Sequence, residues 1–133
     1  NEMLLAGLIN QAPEGQRFYD RFRGRLMFPW HDVSGNIIGF SARLLPQLDD
    51  GQTGKYINSP QTMLYDKSRH LFGLWFAKGA IKEAQEVVIV EGQMDCLTAH
   101  QYNFKNVVAT SGTALTEEHL KLLKRYTSNI VLA

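Results

Sequence analysis

The sequence predicts a mixed α/β chain in two parts: residues 1–84 form a basic amino-terminal α+β part with a β-hairpin, and residues 85–133 a parallel β-α-β-α-β unit. Three observations predict it. The runs Val87–Val90, Val107–Ala109 and Ile130–Leu132 are continuously apolar and alternate with stretches of helical length, the pattern of a parallel sheet covered on both faces. Two runs of strand composition, 26–30 and 37–44, flank the turn-forming Asp32-Val33-Ser34-Gly35-Asn36. Charge is uneven: from Arg17 to Gly79 nine Lys or Arg face five Asp, whereas from Ala80 onward five basic residues meet six acidic ones. The first part suits a polyanion; the second does not.

The elements follow in order. Leu4, Leu5, Leu8 and Ile9 recur at helical spacing with no N-cap before them, which predicts over residues 2–9 the end of a helix begun elsewhere. Pro13 and Gly15 stop it. Next, an extended ribbon places Arg21, Arg23 and Arg25 on one side, with Phe18, Tyr19 and Phe22 interleaved. The hairpin comes after it, then a polar loop over 46–54 and a short extended Lys55-Tyr56-Ile57-Asn58 stopped by Pro60. A helix is predicted over 75–85, with Trp75 and Phe76 in the core. Two more helices are predicted over 94–102 and 116–126, the second opened by Thr116, with Glu117 and Glu118 in its first turn and His119 three residues on. Because the β-α-β-α-β unit stops flush with its last strand, the chain is expected to be a piece truncated at both ends.

Composition narrows the function classes. A content of 44% hydrophobic and 20% charged residues is that of an ordinary folded domain. No apolar run approaches the roughly 20 residues that cross a bilayer, and residues 1–16 lack the features of a secretory signal. A soluble, cytoplasmic protein with no membrane partner is expected. The single Cys96 excludes an internal disulfide and any multi-cysteine zinc site, and reads as a small buried side chain. His31, His70, His100 and His119 have no metal-ligand spacing and are given structural or solvent roles.

Ligands of open parallel sheets bind beyond the carboxyl ends of the strands. Glu91 directly follows such a strand, Gly92 permits a tight turn, and Asp95 falls in the first turn of the next helix. Two carboxylates at one rim suit Mg²⁺, whose preferred ligands are hard oxygens and substrate phosphates. Spacing alone leaves a plainer reading open, in which Glu91 caps the helix and Asp95 complements its dipole. The arginine ribbon fits single-stranded nucleic acid, through bidentate phosphate pairing and base stacking. A solvated edge that discourages strand pairing explains it equally. Arg43, Lys55, Asn58, Lys67 and Arg69 are further donors able to meet phosphate oxygens, and Ser111-Gly112-Thr113 reads as a strand-to-helix turn near the acidic rim.

Taken together, the motifs resemble a known family. Tyr19-Asp20-Arg21-Phe22-Arg23-Gly24-Arg25, Phe28-Pro29, Gly35, Gly39-Phe40 and Arg43 are similar to the RNA polymerase core of bacterial replicative DNA primases. Lys55-Tyr56-Ile57-Asn58-Ser59-Pro60, Thr62, Lys67 and Leu71-Phe72-Gly73 continue the likeness in the same order. Glu91-Gly92-Gln93-Met94-Asp95, and residues 109–116 with His119, resemble the first two motifs of a TOPRIM subdomain. The resemblance covers the chain from about Gly7 onward.

It implies a DNA-directed RNA polymerase that reads single-stranded DNA template and joins ribonucleoside triphosphates into short primers with Mg²⁺ or Mn²⁺. An RNA–DNA hybrid would be its product and the replicative helicase its neighbour. By position, Glu91 would be the catalytic, metal-binding acid and Asp95 a supporting acid. Arg43, Lys55, Asn58 and Lys67 would contact nucleotide or template, and Arg21, Arg23 and Arg25 would lie in or near a basic DNA groove. The family's Asp-Gly-Asp after the third TOPRIM strand, its upstream zinc module and its helicase-binding tail are not in this chain, so the fragment alone is expected to be inactive. Gln93 stands where Tyr is usual, Ser41-Ala42 where a Gly-rich pair is usual, and Asn103 where Gly is usual. A noncatalytic single-strand-binding module, a phage or plasmid primase-helicase relative, and another TOPRIM enzyme such as a topoisomerase are the alternatives. No Tyr has the setting of a cleavage nucleophile.

Overall fold

The computed structural model describes residues 2–15 and 17–133. In chain order they form α1 (Glu2–Leu5), β1 (Ile9–Gln11), β2 (Phe18–Asp20), β3 (Arg25–His31), β4 (Ile37–Leu44), a 3₁₀ turn (Pro46–Leu48) and β5 (Tyr56–Asn58). There follow α2 (Leu74–Ala84), β6 (Val87–Val90), α3 (Gln93–Gln101), β7 (Val107–Ala109), α4 (Glu117–Leu123) and β8 (Ile130–Leu132). The chain divides into two compact units, one from the amino terminus to Trp30 with Ile37–Tyr65, the other His31–Asn36 with Asp66–Ala133. Among the described residues no helix is long and apolar enough to cross a membrane.

In the first unit, helix holds only to Leu5, not to Ile9 as the spacing predicts. Gly7 turns the chain at φ 68°, packed so close to Pro60 that a Cβ would run into its ring. Ile9 instead opens β1, which pairs antiparallel with β2 in the register Ile9↔Asp20 and Gln11↔Phe18. The extended ribbon is also corrected. β2 ends at Asp20, whose Oδ1 accepts the Phe22 N–H, and Arg21 to Gly24 form a turn completed by Gly24 at φ 64°. Arg21, Arg23 and Arg25 therefore do not line one side of a strand.

The predicted hairpin is present, and β4 is the central strand of the sheet β3-β4-β5. Gly39 and Ser41 are buried, as are Ala42 and Leu44, so the middle of β4 is covered on both faces. Trp30 of β3 is fully buried, edge-on against Tyr65 with ring centroids 5.3 Å apart. A Cβ on Gly39 would lie 2.9 Å from that tyrosine ring, which is why this position is glycine.

The second unit holds a parallel sheet in the order β7-β6-β8, registered Ile89↔Val108 and Val88↔Val131. Continuous apolar strands give it two-sided burial at β6 and β7. Leu74, Ala77 and Ile81 recur along one face of α2 and join Leu71, Val87, Ile89, Val108 and Leu123 in the core. Phe76 falls off that face: contrary to expectation it is 63% exposed, its ring edge-on to His31. Trp75 is half-buried, covered by the Lys78 ammonium 3.6 Å from its ring centroid.

Candidate functional site

β6 is the central strand, and Glu91 takes the first position beyond its carboxyl end. Pairing continues past the strands: Thr110 N–H donates to Val90 O at 3.2 Å and Ser111 N–H to Glu91 O at 2.8 Å. The backbone of Glu91 is thereby fixed while its side chain stays exposed, with no hydrogen bond or ion pair to any described residue. The N-cap of α3 is Gly92, in extended conformation, so Glu91 does not cap the helix. Asp95 folds back over the same turn, since a Cβ on Gly92 would sit 2.6 Å from its Oδ2. Glu91 and Asp95 thus present two exposed carboxylates from a single strand-to-helix turn.

Lys67 reaches the same rim. Its Nζ donates to Ser111 O at 2.7 Å, one residue's backbone away from the bond that holds Glu91. Half-buried, the ammonium loses hydration, and its pKa falls below the usual lysine value. The segment carrying Lys67 is clamped from α4. His119 is fully buried; its Nε2 lies 2.7 Å from Lys67 O and 3.1 Å from His70 O, and its Nδ1 faces the Thr116 N–H at 3.3 Å. Two carbonyls at Nε2 and a donor at Nδ1 require the neutral tautomer protonated on Nε2. Thr116 Oγ1 accepts from His119 N–H, completing a capping box, and donates to Ser68 O at 2.6 Å. A cleft of about 440 Å³ beside this rim is lined by Val90, Glu91, Thr110, Gly112, Thr113 and Leu132.

The remaining candidates lie in the first unit. Arg21 is half-buried, Nε donating to Asn58 O and Nη1 to Asn10 Oδ1, each at 3.1 Å. Arg25 Nη1 donates to Lys55 O at 3.2 Å. These two arginines hold β5 and its approach, whereas Arg23 is exposed in the turn. Arg43 is exposed on β4, its guanidinium 5.7 Å from the Tyr56 ring centroid. Lys55 is exposed just before β5, and Asn58 ends it. Ser41 points into the core, where its Oγ lies 2.8 Å from Trp30 Nε1. A larger cleft of about 690 Å³, lined by Leu5, Leu8, Ile37, Ile38, Phe40 and Met63, holds no candidate residue; polar chemistry, not size, marks the site here.

The described residues contain no cluster of three or more His, Cys, Asp or Glu side chains able to hold a metal. Glu91 and Asp95 offer the hard oxygens that Mg²⁺ or Mn²⁺ takes, with room for water and phosphate. That is a partial donor set, short of what two-metal phosphoryl chemistry uses.

A model of the family "DNA primase catalytic core, N-terminal domain" matches residues 1–78. The chain belongs to that family. A Toprim-like model matches residues 88–133, the part containing the parallel sheet. The DNA primase of Clostridium acetobutylicum is 47% identical over 133 residues, 99% of this chain and 21% of that protein. The chain therefore spans about a fifth of the length of such relatives. A crystal structure of a DNA primase domain from Pseudomonas aeruginosa superposes with a TM-score of 0.87 at 41% identity, covering 98% of this chain and 39% of the other. A DnaG primase catalytic domain solved bound to single-stranded DNA gives 0.85 at 39% identity, again over 98% of this chain and 39% of the other. This chain's mixed α/β architecture, antiparallel sheets followed by a three-stranded parallel one, matches these primase cores over the part it covers.

The structural role expected of His119 and the capped helix start expected at Thr116 are both present, as a capping box between the two residues. The β1–β2 hairpin carried no signal, because three-residue strands are too short to show a period.

Proposed function

We propose that this chain is part of a DNA primase, residues 1–84 handling template and nucleotide and residues 85–133 forming the first half of the catalytic part. The parent would join ribonucleoside triphosphates along single-stranded DNA in the cytoplasm, leaving an RNA–DNA hybrid beside the replicative helicase. One observation carries the reading: within a chain of the primase-core family, the first residue past the central parallel strand is an exposed, unpaired carboxylate, Glu91. Membership of the family, and relatives named DNA primases, support the rest.

Glu91, with Asp95 in support, would hold Mg²⁺ or Mn²⁺, which when bound supplies neutralisation of charge on the transferring phosphoryl group. Lys67 brings a positive charge to the same rim and holds the β7–α4 turn by its bond to Ser111. Arg43, Lys55 and Asn58 line the β4–β5 edge and would meet nucleotide or template oxygens; Arg23 adds an exposed cation, and Arg21 and Arg25 keep β5 in place. Among the described residues no third acid joins Glu91 and Asp95 in a metal-holding group, and this chain alone is proposed to be inactive. The test is template-directed ribonucleotide incorporation by the parent protein. Glu91→Gln is expected to lower it at least about 100-fold with no change in stability, because the side chain bonds to no described residue. Undiminished primer synthesis by that variant would refute the assignment.

A further inference from the structure

We propose that Ser41 is a positioning residue: held by Trp30, its hydroxyl sets the carboxamide of Asn58 with the NH₂ group outward, so that Asn58 meets its ligand only as a hydrogen-bond donor. The proposal rests on the reading of Asn58 as a nucleotide or template contact, and adds to it which atom does the work.

The polarity follows from one group that cannot reverse. An indole N–H donates and never accepts. Trp30 Nε1 lies 2.8 Å from Ser41 Oγ, so that oxygen accepts there. Ser41 has no exposed surface, and its own hydroxyl proton must find an acceptor inside the protein or be left unsatisfied. The neighbour at 2.5 Å is the Asn58 carboxamide, paired with Ser41 across the β4–β5 ladder. Only its carbonyl end accepts, so Oδ1 faces Ser41 and Nδ2 faces away. The orientation of an amide is ordinarily ambiguous; here a donor-only ring two groups away decides it.

A second anchor holds the backbone. Arg21 Nε donates to the Asn58 carbonyl while Nη1 is tied to Asn10, fixing the end of β5 from the opposite strand pair. Asn58 is half-exposed, and no described residue accepts from its Nδ2. Two N–H groups presented from a fixed amide, on an edge with the exposed cations Arg43 and Lys55, suit a phosphate oxygen, either of a template strand or of a triphosphate.

The test has two readouts on the full chain. In NMR exchange experiments the Asn58 Nδ2 protons should exchange as fast as those of the exposed Asn103. Protected Nδ2 protons in the unaltered chain would overturn the proposal. Binding is read with a fluorescein-labelled oligothymidylate and, in a second arm, with ATP. Asn58→Ala should weaken one of the two about fivefold, which identifies the phosphate source. Ser41→Ala should reproduce that loss, the double variant should add nothing to it, and Ser41→Thr should restore it. If Ser41→Ala fails to fold, Trp30→Phe with Ser41→Gly removes both buried polar partners and serves instead. Wild-type binding by Ser41→Ala, or by that pair, alongside a weakened Asn58→Ala would overturn the positioning role. No loss from Asn58→Ala with either probe would instead defeat the reading of Asn58 as a contact, leaving the exchange experiment to decide its orientation.

Discussion

Replacing His119 by alanine removes more than a helix cap. The imidazole is fully buried and bridges three groups: Lys67 O and His70 O at Nε2, and the Thr116 N–H at Nδ1. Stripping the one N–H that the two carbonyls share costs roughly 1–3 kcal/mol. Losing the reciprocal half of a capping box adds about 1 kcal/mol, and the vacated volume adds to it. The expected loss is about 3–5 kcal/mol, a large share of the roughly 5–15 kcal/mol that holds a domain together. Urea unfolding followed by far-ultraviolet circular dichroism measures it as a fall in midpoint at constant slope. His119→Gln separates the parts, because glutamine at the third helical position can still accept from Thr116 N–H but is too short to satisfy both carbonyls; it should fall between wild type and alanine. Glu118→Ala, which removes a solvated pair with Lys121 and one first-turn acid, should cost far less than His119→Ala. A His119→Ala unfolding free energy within about 1 kcal/mol of wild type would refute the clamp, and with it the claim that α4 holds the Lys67 segment.

Three other outcomes follow from the geometry. Gly39→Ala would drive a Cβ to 2.9 Å from the Tyr65 ring and 3.3 Å from Ser59, an overpacking worth about 1–3 kcal/mol by thermal melting. Gly92→Ala meets only the mobile end of Asp95, at 2.6 Å, so the fold should survive while the carboxylate is displaced; primer synthesis by the parent should fall about tenfold, and an unaffected rate would show that Asp95 plays no part. Burial, helped by the Asp95 charge, pushes the Cys96 thiol up to about 12 from 9.0, so the unfolded chain releases its proton first as pH rises. Stability should therefore decline across that interval by up to about 1.4 kcal/mol per pH unit, and Cys96→Ala, unfolded in parallel, should lack this part of the slope.

Much of the architecture was legible because its signals are local. Val87–Val90 reads as a buried strand from four apolar residues in a row, and Glu91 reads as a rim residue because strand ends in open parallel sheets always face that way. The hairpin was announced by its turn, and the ordered motifs from Tyr19 to His119 pointed to the primase core. Thr116 was recognised as an N-cap from its position before two glutamates.

What the sequence could not decide depends on which distant groups meet. Helical spacing from Leu4 to Ile9 is real, yet Pro60 packs against Gly7 and the chain leaves the helix there. Alternation predicted a ribbon of arginines, but a side-chain bond from Asp20 and a left-handed Gly24 turn it into a bend, so that Arg21 and Arg25 secure β5. Phe76 looks like core by composition and is exposed because α2 buries the face one residue away. Periodicity and turn chemistry act over a few residues and are written in the chain itself. The distant partners of His119, Ser41 and Lys67 lie between 11 and 52 positions away in sequence, and only folding brings those donors and acceptors within hydrogen-bonding range.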